Sequence, residues 1–248
     1  MRAIIVAAGR GHRLGPATAK KPKCLIEIAG KTILERELEA LRANGIHVVV
    51  LVRGYMGSTI KYPDIRYREN TEFKDNNILA SLFAAEDCMD EDFIFSYSDI
   101  LYGPSVVAKL LESRGDIALV VDVGWKRRYE GDAMQRFAKS EFVKVREGLV
   151  TEIGMNTIRP DEAYGEFIGL AKFKKPAAEE MRRAYKAAGR STPFHHAPDT
   201  KKAYLTDMIE ELIGRGWAVS SVDIQGGWLE IDTREDLEIA KRTIAGKR

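Results

Sequence analysis

An apolar strand, Ala3-Ile4-Ile5-Val6-Ala7, runs straight into a turn that carries Gly9 and Gly11 and is crowded with cations. Arg10, His12, Arg13, Lys20, Lys21 and Lys23 succeed one another, and no carboxylate interrupts them until Glu27. A buried strand that delivers a glycine turn confines the chain to sheet architectures in which loops at strand ends meet a ligand. Glycine lets the backbone approach an anion closely and take φ > 0, so main-chain N–H groups can point at phosphate oxygens while Arg and Lys add charge. The segment reads as a polyphosphate site. The alternative is a solvated basic loop, but a bare loop needs neither paired glycines nor so many unrelieved cations. The dinucleotide fingerprint G-x-G-x-x-G is the rival motif, and its third glycine is replaced here by Leu14. Gly15 comes one residue late, and the second strand ends near Val52-Arg53 without an acid to hold a ribose.

Downstream, apolar runs alternate with helical patterns. Ile33–Ala43 has a helical period and stops at Asn44-Gly45. Val48–Val52, Phe93–Ser98 and Ile117–Val123 are expected as strands, and Asn77–Ala85 and Pro104–Ser113 as helices. This alternation predicts an α/β fold, a single-domain Rossmann-like mixed, mostly parallel sheet flanked by helices. From Phe142 the texture changes: Phe142–Arg146 and Leu149–Ile153 flank Glu147-Gly148, a two-residue hairpin signal, and Gly165–Phe173 reads as a further strand. Helices fit Pro176–Ala188, Leu205–Arg215 and Thr233–Ala245, with a mobile polar loop expected over Gly189–Lys202.

The formal net charge of +2 provides no global field for nucleic acid or an anionic membrane, so neither is expected as a partner. Cys24 and Cys88 are too few for a disulfide framework and read as buried small hydrophobes. The apolar run Val48–Val52 is far too short to span a bilayer, and the N-terminus lacks signal-peptide features, so a cytoplasmic protein is expected. The number of copies in the assembly, a homodimer included, is left open.

Ala7-Ala8-Gly9-Arg10-Gly11-His12-Arg13-Leu14, Pro16-Ala17-Thr18 and Pro22-Lys23 together resemble the signature G-x-G-x-R-L-x-P-x-T…P-K. That signature belongs to the nucleotidyltransferases that make activated sugars and alcohols. The resemblance implies that Gly9 and Gly11, with Ala7 and Ala8, wrap a nucleoside triphosphate, that Arg13 holds its β- and γ-phosphates, and that Lys23 contacts the reacting phosphates. It also implies Mg²⁺, or Mn²⁺ in its place, on Asp99 at the end of the strand Phe93–Ser98 and on Asp232, within the segment Trp228–Thr233 that opens the last helix. Ser98 departs from the glycine common in the family. Taken alone, Asp99 also reads as a strand-end turn residue and Asp232 as a helix cap.

Asp75–Leu82 and Gly165–Gly169 resemble the subgroup that transfers CMP to small phosphorylated or phosphonylated alcohols, such as the phosphocholine and 2-aminoethylphosphonate cytidylyltransferases. The resemblance implies CTP as donor and Asn77 and Ser81 as base or acceptor contacts. A cationic aminoalkyl acceptor is expected over a hexose, because Glu166 beside Phe167 can meet an ammonium through charge and ring face, supported by Asp122, Trp125 or Asp207. Residues 1–123 would then form a nucleotide-binding half and 124–248 an acceptor-binding half of one domain. Asn77 could equally cap its helix and Ser81 sit on its face. Glu166 could be the outward residue of a strand.

The reaction implied is attack by an acceptor phosphate or phosphonate oxygen on the α-phosphorus, with pyrophosphate leaving in line and Lys23 and Arg13 as the catalytic cations. Hexose-1-phosphate nucleotidylyltransferases using UTP, dTTP or GTP, and inositol-phosphate cytidylyltransferases, are the enzymatic alternatives. A nucleotide-sensing module is the non-enzymatic one, although such a protein has no use for Lys23 and both aspartates together. His195-His196 lies in the polar loop without a nearby carboxylate or third ligand in the sequence, which argues a surface pair over a metal site.

Overall fold

The computed structural model describes residues 1–129, 140–189 and 193–246. The first half contains strands β1 (Arg2–Ala7), β2 (Glu27–Ile28), β3 (Lys31–Thr32), β4 (Val49–Arg53), β5 (Ile65–Glu69), β6 (Phe93–Tyr97), β7 (Ile100–Tyr102) and β8 (Ile117–Asp122). Helices α1 (Ile33–Arg42), α2 (Ile78–Phe83) and α3 (Pro104–Glu112) lie between them. The second half adds β9 (Glu141–Arg146), β10 (Leu149–Met155), β11 (Gly165–Phe173), β12 (Val219–Ile224) and β13 (Trp228–Glu230), with α4 (Lys175–Ala188), α5 (Leu205–Gly214) and α6 (Arg234–Ala245).

Nine strands form one mixed sheet in the order β5-β4-β1-β6-β11-β8-β12-β10-β9. The parallel strands β1, β4 and β6 are apolar on both faces because helices cover both sides. Ile4, Val6, Val50, Phe93 and Phe95 point toward α2, α4 and α5, while Ala3, Ile5, Leu51 and Ile94 point toward α1 and α3. Helix α1 starts at a capping box, in which Thr32 accepts from the Glu35 amide and Glu35 from the Thr32 amide. The hairpin between β9 and β10 turns on Glu147 (φ 53°) and Gly148 (φ 78°), the left-handed pair that a two-residue turn demands. No helix among the described residues is long and apolar enough to cross a membrane.

Two departures from the sequence reading bear on the site. Trp228–Glu230 does not open the last helix; it is a strand that pairs antiparallel with β7, held by Trp228↔Tyr102 and Glu230↔Ile100. The helix begins only at Arg234, capped by Thr233 with Asp236 closing the box. The described part of the expected mobile loop is tied down. Phe194 and Ala197 pair, Thr200 Oγ1 donates to the Gly189 carbonyl, and the Lys201 carbonyl accepts from the Asn77 amide. His195 also meets a carboxylate that its sequence neighbourhood did not supply, Glu211 on α5 at 2.8 Å.

Strand β11 runs antiparallel between β6 and β8 and is buried throughout. Its register against β8 slips between Phe167 and Ala171, around Gly169 at φ +85°. A β-carbon there would stand 2.2 Å from Tyr97 Cδ2. Gly169 therefore makes room for the Tyr97 ring at the end of β6. Gly169→Ala is expected to cost at least about 2 kcal/mol, combining the left-handed penalty with overpacking. Gly148→Ala, at φ +78° with open space around it, should cost only about 1 kcal/mol. Urea denaturation of both variants checks the difference, and equal losses would remove the Tyr97 contact as the reason for the glycine.

Candidate active site

The parallel strands β1 and β6 end side by side, and a cavity of about 560 Å³ opens beyond their C-terminal ends. One wall is the loop after β1. It holds its shape through Thr18 Oγ1, which donates to the Gly11 carbonyl at 2.8 Å, and through Leu14, which is fully buried. Gly11 sits at φ +65°, and a β-carbon on it would lie 3.3 Å from Lys23 Cβ. Glycine is needed there so that the loop can close on Lys23. Of the loop's basic residues, His12, Arg13 and Lys23 line the cavity; Arg10 lies over the Tyr55 ring, 5.3 Å from its centroid.

Lys23 is the buried member, and its ammonium lies 2.7 Å from Asp99 Oδ2 and 3.1 Å from Asp232 Oδ1. Burial pulls the lysine pKa down, but Asp99, Asp232 and Glu230 outweigh it and hold the ammonium above its ordinary value. Arg13 forms a second ion pair with Asp232. The two aspartates, far apart in sequence, meet because β13 pairs with β7 and the Ile231 amide donates to the Asp99 carbonyl at 2.9 Å. The same pairing brings in Glu230, which the sequence reading missed. One oxygen each from Asp99, Glu230 and Asp232 lies within 4.8 Å of the others. Burial, then the charges of Asp99 and Asp232, push the Glu230 carboxyl up to about 8. Alternation in Trp228-Leu229-Glu230-Ile231-Asp232 was the signal that could have found it, since a strand puts Glu230 and Asp232 on one side.

Asn77 lines the cavity at the start of α2, with its side-chain amide donating to the Lys202 carbonyl at 3.1 Å. Ala7 and Gly9 line it too, whereas Ala8 is buried and its carbonyl accepts from the Tyr55 amide. Several expected contacts sit elsewhere. Ser81 is buried in a polar knot, accepting from Asn70 Nδ2 and donating to the Asn77 carbonyl. Asp122 lies behind β13, its oxygens accepting from the Gly124 and Gly226 amides and from Trp228 Nε1. Trp125 packs on Phe142 at 4.6 Å between ring centroids. Asp207 accepts from the Tyr204 and His196 amides at the start of α5. Ser81, Asp122 and Asp207 are each engaged by backbone or side-chain partners, and none of the three lines the cavity. Glu166 is buried on β11 and does not line the cavity, although its charge helps raise Glu230.

Tyr97, Glu141, Met155 and Tyr204 also line the cavity. Glu141 begins β9 and is almost fully buried; it accepts from Tyr97 OH at 2.9 Å and from Thr206 Oγ1 at 3.2 Å. Burial lifts its carboxyl to about 7 against the opposing effect of these hydrogen bonds. Beneath Asp99, Glu37 of α1 is completely buried and accepts from Ser96 Oγ, and burial holds its carboxyl well above the ordinary range.

Residues 3–200 match the family described as the MobA-like NTP transferase domain. Over 250 residues, spanning 96% of this chain and 98% of the relative, the sequence is 32% identical to CTP:phosphoglutamine cytidylyltransferase of Campylobacter jejuni. A 98-residue stretch, 38% of this chain and 40% of the relative, is 36% identical to 2-aminoethylphosphonate cytidylyltransferase of Lancefieldella rimae. The fold is similar to that of CTP:phosphocholine cytidylyltransferase from Streptococcus pneumoniae, with a TM-score of 0.73 at 20% identity over 98% of both chains.

Glu141 sets a pH dependence of stability. Its carboxyl binds a proton more tightly in the fold, at about 7, than at its ordinary 4.5, so between these values the folded state holds the extra proton. This contribution is complete below pH 4.5 and is lost as pH rises through 7. Glu141→Gln should therefore flatten the decline in stability between pH 5 and 8, roughly the span over which the group titrates. Denaturant midpoints across that range measure it, and an unchanged slope would show that Glu141 titrates normally.

Proposed function

The chain belongs to the MobA-like NTP transferase family, and we propose that as a nucleotidyltransferase it moves CMP from CTP to a small phosphorylated or phosphonylated acceptor, releasing pyrophosphate. The observation that carries this reading is the meeting of Lys23 and Arg13 with Asp99 and Asp232 at the mouth of the glycine turn. The choice of CTP rests on two relatives with cytidylyl transfer in their names, one alike over nearly the whole chain and one over a 98-residue stretch.

In this reaction an anionic acceptor oxygen attacks the α-phosphorus, and the P–O bond to the β-phosphate breaks with its electron pair leaving on pyrophosphate. The nucleophile has no proton to lose near neutral pH, so the protein contributes positioning and charge rather than a general base. Gly9 and Gly11 let the backbone close around the triphosphate, Arg13 holds the departing phosphates, and Lys23 neutralises charge at the reacting phosphorus as it builds. Asn77 is assigned to the base, which its position in the cavity lining supports.

The three carboxylate oxygens of Asp99, Glu230 and Asp232 are hard donors set close together, a donor set that suits Mg²⁺ or Mn²⁺. A cation bound there supplies further neutralisation of the phosphate oxygens. The buried ammonium of Lys23 already lies against two of these carboxylates, Asp99 and Asp232, so they attract positive charge.

Lys23→Ala is expected to lower kcat by roughly 10²–10³ while changing CTP affinity much less, as for loss of other electrostatic stabilisers. Near-normal kcat in steady-state assays would take Lys23 out of the chemistry. EDTA should abolish turnover, and Asp99→Asn and Asp232→Asn should each raise the Mg²⁺ concentration needed for half-maximal rate. Pyrophosphate release with CTP should exceed that with UTP, dTTP or GTP at matched concentrations. Faster turnover of glucose 1-phosphate with one of the other nucleotides would replace this reading by a sugar nucleotidylyltransferase.

A further inference from the structure

We propose that Tyr55, which does not line the cavity, is the residue that holds the loop after β1 in the shape that receives the β- and γ-phosphates of the nucleotide. The inference rests on the reading of that loop as the triphosphate site and adds to it a positioning residue from a different strand end.

Tyr55 follows β4, whose last residue, Arg53, pairs with Ala7 at the end of β1, so the two strand ends lie side by side. From there one residue reaches the loop at three points. Its amide donates to the Ala8 carbonyl at 3.0 Å, its hydroxyl donates to the Ala19 carbonyl at 3.1 Å, and its ring lies under the Arg10 guanidinium. Ala8 and Ala19 are the two ends of the loop, the first directly after β1 and the second directly after the 3₁₀ turns His12–Thr18. Gly9, Gly11 and Arg13 lie between them. The turn that carries Tyr55 is itself fixed. Gly54 has no room for a β-carbon, which would stand 2.8 Å from both the Ala8 carbonyl oxygen and Phe73 Cβ. Phe73 packs edge-on against the Tyr55 ring at 6.5 Å between centroids. Met56 takes φ +48°, a left-handed conformation that a residue with a side chain adopts only at a cost, so the chain keeps Tyr55 in this place against a local penalty.

A loop that turns its N–H groups toward an anion turns carbonyls away from it, and each of those needs a donor from elsewhere. Inside the loop Thr18 Oγ1 supplies one, to Gly11. Tyr55 supplies the donors at both ends. The basic residues of the loop repel one another, and the face of the Tyr55 ring takes the charge of Arg10, which does not line the cavity. Tyrosine combines the rigid reach, the terminal donor and the ring face that these contacts use. Phenylalanine lacks the donor, and leucine lacks both donor and ring. Because Tyr55 acts on the loop rather than on the base or ribose, its loss is felt by ligands that carry the outer phosphates.

The test measures equilibrium binding of CTP, pyrophosphate and CMP to the whole chain by titration calorimetry with Mg²⁺ present. Tyr55→Phe keeps the amide and the ring and removes only the hydroxyl. It is expected to weaken CTP and pyrophosphate together by about 3–10-fold, the worth of one neutral hydrogen bond, and to leave CMP within about twofold. Tyr55→Leu, which also removes the ring, should weaken CTP and pyrophosphate further and still spare CMP. Tyr62→Phe is the structural control: it deletes a hydroxyl contact of the same length, to Thr32 Oγ1 at 3.1 Å, and should bind all three ligands as the wild type does. If Tyr55→Leu does not fold, Tyr55→Phe decides alone. Unchanged CTP binding by Tyr55→Phe, equal weakening of CTP and CMP, or an equal loss in Tyr62→Phe overturns the assignment of Tyr55 and leaves cytidylyl transfer standing. A wild type that binds UTP, dTTP or GTP more tightly than CTP overturns the cytidylyl reading, and the same comparison with that nucleotide and its monophosphate then decides Tyr55. A wild type that binds none of the four overturns both.

Discussion

The ion pairs of Lys23 with Asp99 and Asp232 join three separate parts of the chain at one point. A buried ammonium is costly unless paired, and a pair of adjacent carboxylates is costly unless a cation lies between them. Each group makes the others tolerable. Lys23 anchors the loop after β1, Asp99 the end of β6, and Asp232 the entry to α6, so the same contact that balances charge also shapes the cavity. The ring of opposite charges is ready to be redistributed when phosphates bring negative charge to Lys23 and Arg13.

Behind this point the fold is arranged in layers. The apolar strands β1, β4 and β6 hold the loops at their ends against two helical faces. Backbone pairing of β7 with β13 places Glu230 and Asp232, and the Asp122 carboxylate holds that pairing from behind through Trp228. Asp122 thus shapes the site without lining it. Elsewhere in the lining, Gly169 gives space to Tyr97, and Tyr97 in turn orients Glu141. Glu141 lines the same cavity as Lys23 and Arg13.

Much of this was readable in the amino-acid order. The strand Ala3–Ala7, the glycine turn, the Lys23 site and the α/β alternation all rest on local patterns: apolar runs, glycine positions and unbroken positive charge. Gly165–Phe173 was legible as a strand because it is apolar and bounded, and the Glu147-Gly148 turn because only such residues adopt its left-handed angles readily. Strands β5 and β12 escaped because IRYRE and VSSVDI carry too few apolar residues to show a period. They are strands because neighbouring strands offer them hydrogen bonds.

The tertiary structure decided which of the acidic residues share a cavity. Asp122, Asp207, Glu166 and Glu141 are alike in type, and nothing local distinguishes a carboxylate that caps backbone amides from one that faces a pocket. Pairing across the sheet and the entry angle of α5 make that distinction: Asp207 turns back to its own helix start, while Thr206 beside it turns to Glu141. The sequence by itself determined that this chain is an α/β protein with a glycine turn rich in basic residues after its first strand and a lysine beside it, since those depend on residues close together in the chain. Which carboxylates meet that lysine, and which one joins them in lining the cavity, depends on contacts between residues more than 60 positions apart, and only the folded sheet brings those together.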